Sequence, residues 1–171
     1  MITTDTLIVG GGIVGVSIAK ELASRDPDLN ITLLEKEAAV ARHASGRNSG
    51  VLHAGFYYSP DSLKARFTVE GNKLLTDYCL RHNLTINRCG KIVVAKDAEE
   101  LEGIFELKRR GDKNGVTLEI VDENRLTELE PNARTFDKAL YSPTTSVVNP
   151  TEVVEHIARN LKGNVKILLN E

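Results

Sequence analysis

The stretch that decides the fold lies between residues 6 and 35 and reads TLIVGGGIVGVSIAKELASRDPDLNITLLE. Its first four residues, Thr6 to Val9, are apolar or β-branched and predict a buried parallel strand that ends in glycines. A helical pattern begins at Ile13 and stops at Asp26-Pro27. The residues that this pattern predicts on the inward face are Ile13, Val14, Ile18, Ala19 and Leu22.

A second strand follows this helix. Ile31 to Leu34 is again a short apolar run, and Glu35 closes it. Strand, glycine turn, helix and strand within 35 residues predict a βαβ unit. Since such units build parallel sheets covered by helices, the fold class expected from this stretch is α/β.

The glycine turn fits the pattern G-x-G-x-x-G. Gly10 permits a tight turn, Gly12 lets a pyrophosphate approach the backbone, and Gly15 lets the helix pack closely on the strand. The free N–H groups at Ile13 and Val14, together with the helix dipole, favour phosphate charge. The alternative is a turn that serves packing alone, but the strand before it and the helix after it favour a dinucleotide site.

An acidic residue stands where a dinucleotide site needs one. Glu35 lies about 20 residues after Gly15 and can accept hydrogen bonds from adenosine ribose hydroxyls. Its charge disfavours the 2′-phosphate of NADP. Lys36 is a neighbouring cofactor-binding candidate, with a solvated surface lysine as the alternative. The βαβ unit alone does not distinguish NAD from FAD.

The long loop between residues 38 and 58 favours FAD. It is rich in glycine and polar residues, and loops of this length in compact domains are usually functional or disordered. We expect an ordered binding loop with a short helical turn near Arg42. Arg47, Asn48, Ser49 and Gly50 offer donors and close-approach positions that suit a second contact with an extended cofactor.

The rest of the chain alternates between predicted helices and strands. We expect a helix over 61–81, capped by Asp61, with the inward residues Leu63, Phe67, Leu74, Leu75 and Tyr78. The further predicted elements are strand 90–95, helix 97–113, strand 116–121, helix 123–129, strand 139–141, helix 149–161 and buried strand 165–169. A strand as the last element predicts that the chain is a piece of a longer protein.

Composition excludes several classes of function. The formal net charge is −2, the hydrophobic fraction is 41% and the aromatic fraction 5%, which predicts a globular protein without a nucleic-acid footprint. No apolar stretch is long enough to span a membrane, and no secretory signal is evident. Cys79 and Cys89 predict reduced thiols, and the four histidines have no metal-ligand spacing. We expect a cytoplasmic protein, with peripheral association with the inner membrane as the alternative.

One segment carries a narrower resemblance. The segment 47–58, RNSGVLHAGFYY, and the segment 62–66, SLKAR, resemble the L-2-hydroxyglutarate oxidase/dehydrogenase family. That family belongs to the FAD-dependent amino-acid oxidase and glycerol-3-phosphate dehydrogenase superfamily. The tripeptides Cys89-Gly90-Lys91, Leu129-Glu130-Pro131 and Val148-Asn149-Pro150 fall at the spacing that the family shows.

The resemblance implies an incomplete Rossmann-like FAD-binding βαβ domain over residues 1–85 and 143–171. Residues 86–142 would then begin an antiparallel-sheet substrate domain. The implied reaction is oxidation of L-2-hydroxyglutarate, a small 2-hydroxy acid, to 2-oxoglutarate by hydride transfer to FAD, with oxygen or a quinone as the electron acceptor. The chain would be an N-terminal portion that is inactive alone. Glycerol-3-phosphate or amino-acid oxidation, and an NAD-dependent dehydrogenase, remain alternatives.

The resemblance singles out His53 as the catalytic candidate. Three roles stay open for it, namely a hydrogen-bond donor that shapes the flavin site, a covalent flavin attachment, and a purely structural histidine. The reaction also needs cations for two substrate carboxylates and a base for the hydroxyl proton. Arg42, Arg47 and Arg66 are the arginines available for the carboxylates, and Arg47 suits cofactor phosphates better.

Overall fold

The computed structural model describes residues 3–171. These residues form two compact units, one built from the chain up to Gly50 with Asn149–Glu171, the other from Val51–Val148. The elements in chain order are β1 (Thr6–Val9), α1 (Ile13–Arg25), β2 (Ile31–Glu35), β3 (Val51–Leu52), α2 (Leu63–Arg81), β4 (Ile86–Asn87), β5 (Lys91–Val94), α3 (Ala98–Lys113), β6 (Glu119–Val121), α4 (Glu123–Leu129), β7 (Ala139–Ser142), β8 (Ser146–Val148), α5 (Pro150–Arg159) and β9 (Val165–Leu169).

The first unit is the predicted βαβ unit extended by one strand. Its sheet has the order β1-β2-β9, and both strand pairs are parallel, with Thr6 opposite Ile31 and Ile31 opposite Val165. Helices α1 and α5 contact each other. Asn149 caps α5, because its side-chain oxygen accepts from the N–H of Glu152 and Pro150 stands at the first turn. The predicted α/β class with a parallel sheet is confirmed.

The buried faces of this unit differ from those predicted. Strand β2 is central, so β1 and β9 are edge strands of this sheet, and in β1 only Ile8 is buried. In α1 the predicted inward residue Ala19 is buried, together with Gly15, Val16 and Ala23, whereas Val14 and Ile18 are exposed. Small side chains line the inward face because the helix lies close to the strand, so close that a Cβ atom at Gly15 would overlap the carbonyl oxygen of Gly10.

The second unit contains two three-stranded antiparallel sheets, with the orders β3-β8-β4 and β5-β7-β6. Helix α3 packs on the β5-β7-β6 sheet, with Ile104 fully buried against Leu140 and Phe56 in one core cluster. Asp97 caps α3 by accepting from the N–H of Glu100. Three of the strands, β3, β4 and β8, escaped prediction because runs of two or three residues show no periodicity.

Helix α2 turns a largely different face inward from the one predicted, although the predicted inward residue Tyr78 is buried. Its buried residues are Ala65, Asn72, Tyr78 and Cys79, whereas Leu63, Phe67 and Leu74 are exposed. The cap is Ser62, whose hydroxyl accepts from the N–H of Ala65, and not Asp61, which has a left-handed backbone with φ +65°. Three buried positions, 65, 72 and 79, recur every seven residues, which is a helical repeat of small and polar side chains.

The loop over residues 38–50 contains turns and bends but no helical segment among the described residues, so the helical turn expected near Arg42 is absent. The compact units place residues 51–85 together with 86–148. The assignment of residues 1–85 and 143–171 to an FAD-binding domain concerns function and stays a prediction. No helix within residues 3–171 is long and apolar enough to cross a membrane.

Candidate functional site

The glycine turn has the geometry that its sequence predicts. Gly10 has a backbone φ of +106°, a conformation that residues other than glycine rarely adopt. A Cβ atom added at Gly15 would overlap the carbonyl oxygen of Gly10 and would lie 3.4 Å from Cγ2 of Ile8. The start of α1 therefore lies against the end of β1, and only a glycine at position 15 permits this distance.

Ser45 occupies the N-terminus of α1. The N-cap position is Gly12, which has no side chain to cap the helix. The hydroxyl oxygen of Ser45 takes over that task by accepting from the N–H of Ile13 at 2.9 Å. A Cβ atom at Gly12 would lie 2.8 Å from this oxygen, so glycine at position 12 leaves room for the Ser45 side chain. A serine hydroxyl that accepts one bond still has a proton to donate to a phosphate oxygen.

Glu35 lies at the end of β2 and is almost fully buried, with 7% exposure. One carboxylate oxygen accepts from the N–H of Gly11 at 2.7 Å, and the other accepts from the N–H of Glu37 at 3.0 Å. Two backbone donors balance the buried negative charge. A carboxylate offers about four lone-pair positions, so capacity for ribose hydroxyls remains.

These residues surround a cleft of about 370 Å³ in the first unit. Four predicted cofactor-binding residues, Gly10, Gly12, Glu35 and Lys36, line it together with Ser45. Its volume lies within the range of small-molecule sites. The cleft combines a helix N-terminus, a side-chain-free turn and a buried carboxylate, and this donor and acceptor set fits the pyrophosphate and ribose of a dinucleotide.

Two cationic side chains, Lys36 and Arg42, line the cleft together with His43, and all three are exposed. The ring nitrogen Nε2 of His43 lies 2.7 Å from a carboxylate oxygen of Glu37. That hydrogen bond holds the pKa of Glu37 below its ordinary value. Because His43 and Glu37 are not buried, their attraction contributes little to stability. The cations Lys36 and Arg42 give the cleft a lining that suits phosphate.

The other predicted cofactor residues lie outside the cleft lining. Val14 is exposed on α1, and Arg47 and Ser49 are exposed in the loop. The amide of Asn48 donates to the carbonyls of Ala44 and Ser45, and its oxygen accepts from the N–H of Gly50, whose φ is +69°. Asn48 thus holds the loop segment that presents Ser45, a role that the sequence did not indicate.

His53 belongs to the second unit, immediately after β3, and its side chain is exposed. Its backbone is held by Asn72, a buried residue of α2 that sequence reasoning missed. The Asn72 amide nitrogen donates to the carbonyls of Leu52 at 3.1 Å, His53 at 3.2 Å and Thr144 at 3.1 Å. The available signal was an asparagine seven residues from both Ala65 and Cys79, on the face of small residues.

The electrostatic surroundings of His53 favour the neutral imidazole. Partial burial of the ring, and then the positive charge of Lys91, hold its pKa below the ordinary value. The Lys91 ammonium lies 4.6 Å from the ring centroid of Tyr57. A neutral imidazole nitrogen can accept a proton, which is the property required of a base for a hydroxyl group.

The structure also describes the candidate arginine Arg66, the two cysteines and the surroundings of the possible metal ligands. Arg66 is held by Glu70, with 3.0 Å between Nε and the carboxylate oxygen. Cys79 is buried and Cys89 exposed, and the two are not joined in a disulfide. Over residues 3–171, no three or more histidine, cysteine, aspartate or glutamate side chains are grouped so that they could hold a metal ion.

Sequence comparisons place this chain among flavoproteins. The family model described as FAD dependent oxidoreductase matches residues 5–171. The chain is 45% identical over 150 residues to the mitochondrial L-2-hydroxyglutarate dehydrogenase of Nematostella vectensis, covering 87% of this chain and 33% of that protein. For L-2-hydroxyglutarate dehydrogenase of Escherichia coli (strain K12) the identity is 39% over 155 residues, covering 91% and 36%. The chain thus spans about a third of the length of these relatives.

Solved structures give the same fold. L-alpha-glycerophosphate oxidase from Mycoplasma pneumoniae, with FAD bound, superimposes with a TM-score of 0.89 at 28% identity, covering 99% of this chain and 45% of that one. L-proline dehydrogenase from P. horikoshii gives 0.86 at 23% identity, covering 98% and 44%, and shows the fold alone. The family match extends over nearly all of the chain, so this chain belongs to the FAD dependent oxidoreductase family, and its cofactor is FAD.

Proposed function

We propose that the complete protein oxidises L-2-hydroxyglutarate to 2-oxoglutarate. The observation that carries this proposal is the identity of 39–45% with L-2-hydroxyglutarate dehydrogenases over most of the chain. It is supported by a cleft whose donors and acceptors fit FAD and by the exposed His53 with its lowered pKa. Because the chain spans about a third of those relatives, the activity belongs to the whole protein.

The first unit holds the cofactor in this proposal. Gly10 and Gly12 let the pyrophosphate approach the backbone, and Gly15 fixes the helix position. The N–H of Ile13 is not free as predicted, because it donates to Ser45, so the donors that face the pyrophosphate are the N–H of Val14 and the hydroxyl of Ser45. Glu35 accepts from the ribose hydroxyls. A second set of contacts comes from Lys36 in the cleft lining and from the loop residues Arg47, Asn48, Ser49 and Gly50. Residues 1–85 and 143–171 then form the cofactor domain, and residues 86–142 begin the substrate domain.

The second unit provides the proton-transfer group. FAD held by the first unit would supply the acceptor for the hydride that leaves carbon 2 of a 2-hydroxy acid. His53 accepts the proton of the hydroxyl group, so that the carbonyl of the product can form. Asn72 fixes the backbone on both sides of the Leu52–His53 bond and so restricts where the imidazole can point. Oxygen or a quinone takes the electrons, and the protein works in the cytoplasm or at the surface of the inner membrane.

The substrate is tested by anaerobic titration of the complete, FAD-loaded protein. L-2-hydroxyglutarate is expected to bleach the flavin absorbance with one equivalent per flavin. Glycerol-3-phosphate, amino acids and D-2-hydroxyglutarate serve as the comparison substrates. Bleaching by glycerol-3-phosphate or an amino acid instead would contradict the substrate and keep the cofactor, and a colourless protein that reduces NAD would contradict both.

The role of His53 is tested by His53→Ala, with His82→Ala at the end of α2 as the matched histidine control. His53→Ala is expected to keep FAD and to slow flavin reduction by roughly 10²–10⁴-fold, the usual contribution of a general base. If flavin in His53→Ala is reduced at the wild-type rate, His53 has a purely structural role. Acid precipitation of the wild type decides the covalent alternative, and we expect the flavin in the supernatant.

The isolated chain is expected to be inactive. Its turnover and its flavin content after gel filtration are compared with those of the complete protein. Turnover at the rate of the complete protein would contradict this expectation.

A further inference from the structure

Lys91 is the first residue of β5, and its ammonium lies over the exposed ring of Tyr57. Its positive charge also acts on the exposed His53 and lowers the pKa of that imidazole. The position of this lysine is fixed by backbone contacts and not by a flexible loop. Lys91 pairs with Ser142 in the antiparallel register of β5 and β7. The preceding Gly90 has φ +72° and donates its N–H to the carbonyl of Thr145 at 3.0 Å.

Glycine at position 90 is required by a close neighbour. A Cβ atom there would lie 2.5 Å from Cε2 of Tyr141 and 2.9 Å from its hydroxyl oxygen. The tight fit of Gly90 against Tyr141 sets the direction in which the strand leaves the turn. The tripeptide Cys89-Gly90-Lys91 thus has a physical reason, which is to start β5 with the lysine at a defined place.

The ammonium of Lys91 has no carboxylate partner within ion-pair distance in the part of the chain that the structure describes. Its contact is the face of the Tyr57 ring, at 4.6 Å from the centroid. A ring face attracts a cation but takes up none of its hydrogen bonds, so the three N–H donors stay available to an anion. Arg66, another cation of this unit, differs because Glu70 already holds it.

We propose that Lys91 binds a carboxylate of the 2-hydroxy-acid substrate beside His53. This inference rests on the proposed function, and it assigns a cation that the reaction needs and that neither the sequence nor the comparisons identify. Tyr57 holds the ammonium from one side, and the substrate carboxylate binds from the solvent side. A cation in this place also disfavours an imidazolium at His53, so one lysine serves both substrate binding and the neutral state of the base.

The experiment uses the complete, FAD-loaded protein and compares Lys91→Met with Lys64→Met. Lys64 is the matched control because its ammonium lies over the Tyr58 ring at 4.4 Å, yet it contributes nothing to the pKa shift of His53. Glutarate, a dicarboxylate without the hydroxyl group, serves as the binding probe, and its Kd is measured from the change in flavin absorbance. Lys91→Met is expected to weaken glutarate binding and to raise KM for L-2-hydroxyglutarate by about tenfold to a hundredfold, whereas Lys64→Met stays at the wild-type values.

Further variants separate charge from packing. Lys91→Arg keeps the charge and is expected to stay within a few-fold of wild type, and Lys91→Gln is a second neutral variant should Lys91→Met fold poorly. L-2-Hydroxyvalerate lacks the distal carboxylate. If Lys91→Met raises KM equally for both substrates, Lys91 binds carboxylate 1. If it raises KM for L-2-hydroxyglutarate alone, Lys91 binds carboxylate 5.

Two outcomes would overturn the inference. One is a neutral Lys91 variant with the wild-type Kd for glutarate, and the other is a Lys91→Arg variant as weak as Lys91→Met. A wild-type protein that L-2-hydroxyglutarate does not reduce contradicts the proposed function instead, so the two failures are told apart.

Discussion

A carboxylate oxygen of Glu35 accepts a hydrogen bond from the backbone N–H of Gly11 at 2.7 Å, in a buried position. This bond connects the end of β2 to the glycine turn after β1. A Cβ atom at Gly11 would lie 3.0 Å from the same oxygen, so the contact is tight. Glu35 therefore shapes the turn before any cofactor binds, in addition to its proposed contact with ribose.

Replacing Glu35 by alanine is expected to destabilise the protein without FAD. The change leaves the N–H of Gly11 unpaired and removes hydrogen bonds to a charged group, worth about 1.5–3 kcal/mol each. Urea unfolding of the complete apoprotein measures the loss. The control is Glu37→Ala, which breaks a solvent-accessible pair with His43 and should cost much less than Glu35→Ala. Equal midpoints for the wild type and Glu35→Ala would show that the Gly11 bond contributes nothing.

The cap that Ser45 provides for α1 leads to a second prediction. Ser45→Ala removes the acceptor of the Ile13 N–H and should lower the free energy of unfolding by about 1 kcal/mol. Ser45→Thr keeps a hydroxyl and should lose less. Ser49→Ala, in the same loop but exposed, is the control for the apoprotein. The comparison is made by thermal unfolding without FAD, and a Ser45→Ala variant as stable as Ser49→Ala would contradict the capping role.

The βαβ unit was predictable because its signals are local. Thr6–Val9, the glycine turn and Ile31–Glu35 carry their own strand, turn and helix patterns, and the helix bounds at Ile13 and Arg25 follow from them. The inward face of α2 was not predictable from hydrophobicity. Leu63 and Phe67 are exposed, and the buried face is chosen by the close packing of Ala65 and the hydrogen bonds of Asn72.

The candidate site likewise combines residues that the sequence could predict with residues that it could not. Glu35 could be predicted from its distance to the glycine turn, since the βαβ unit fixes where an acidic residue meets the ribose. The Ser45 cap on Ile13 could not, because it joins residues 32 positions apart through a loop without regular structure. The contact of Lys91 with Tyr57 depends on the pairing of β5 with β7, which only the folded chain defines.

Asn72 is expected to tolerate alanine better than aspartate. Its amide donates to three carbonyl groups, and alanine leaves them without that partner at a cost of about 1–3 kcal/mol. Aspartate has the same shape but places a buried negative charge against the same carbonyl oxygens, so the loss should be larger. Urea unfolding ranks the three proteins, and an Asn72→Asp variant at least as stable as Asn72→Ala would show that the donors are not required.

The pH dependence of turnover is expected to follow His53. The base must be neutral, so kcat/KM should fall as the pH drops through the pKa of His53, which lies below its ordinary value of 6.5. Lys91→Met removes the smaller of the two causes of that lowered pKa, and the acidic limb should move to higher pH. Lys91→Arg should leave it in place. A wild-type limb at or above pH 6.5, or one that does not move in Lys91→Met, would contradict this assignment.

Two glycine-to-alanine changes within helices should have opposite effects on stability. At Gly15 the new methyl group would overlap the Gly10 carbonyl oxygen, so α1 must move away from the turn. Overpacking of this kind costs about 1–3 kcal/mol, and it also displaces the donors proposed to face the pyrophosphate, so FAD affinity should fall as well.

At Gly71, inside α2, an added Cβ meets no atom within 4 Å. Gly71→Ala should therefore stabilise the protein by about 0.5–1 kcal/mol, through the better helix propensity of alanine, and should leave FAD binding unchanged. Urea unfolding and fluorescence titration with FAD measure both quantities. A Gly15→Ala variant that matches Gly71→Ala in either one would refute the close approach of α1 to the glycine turn.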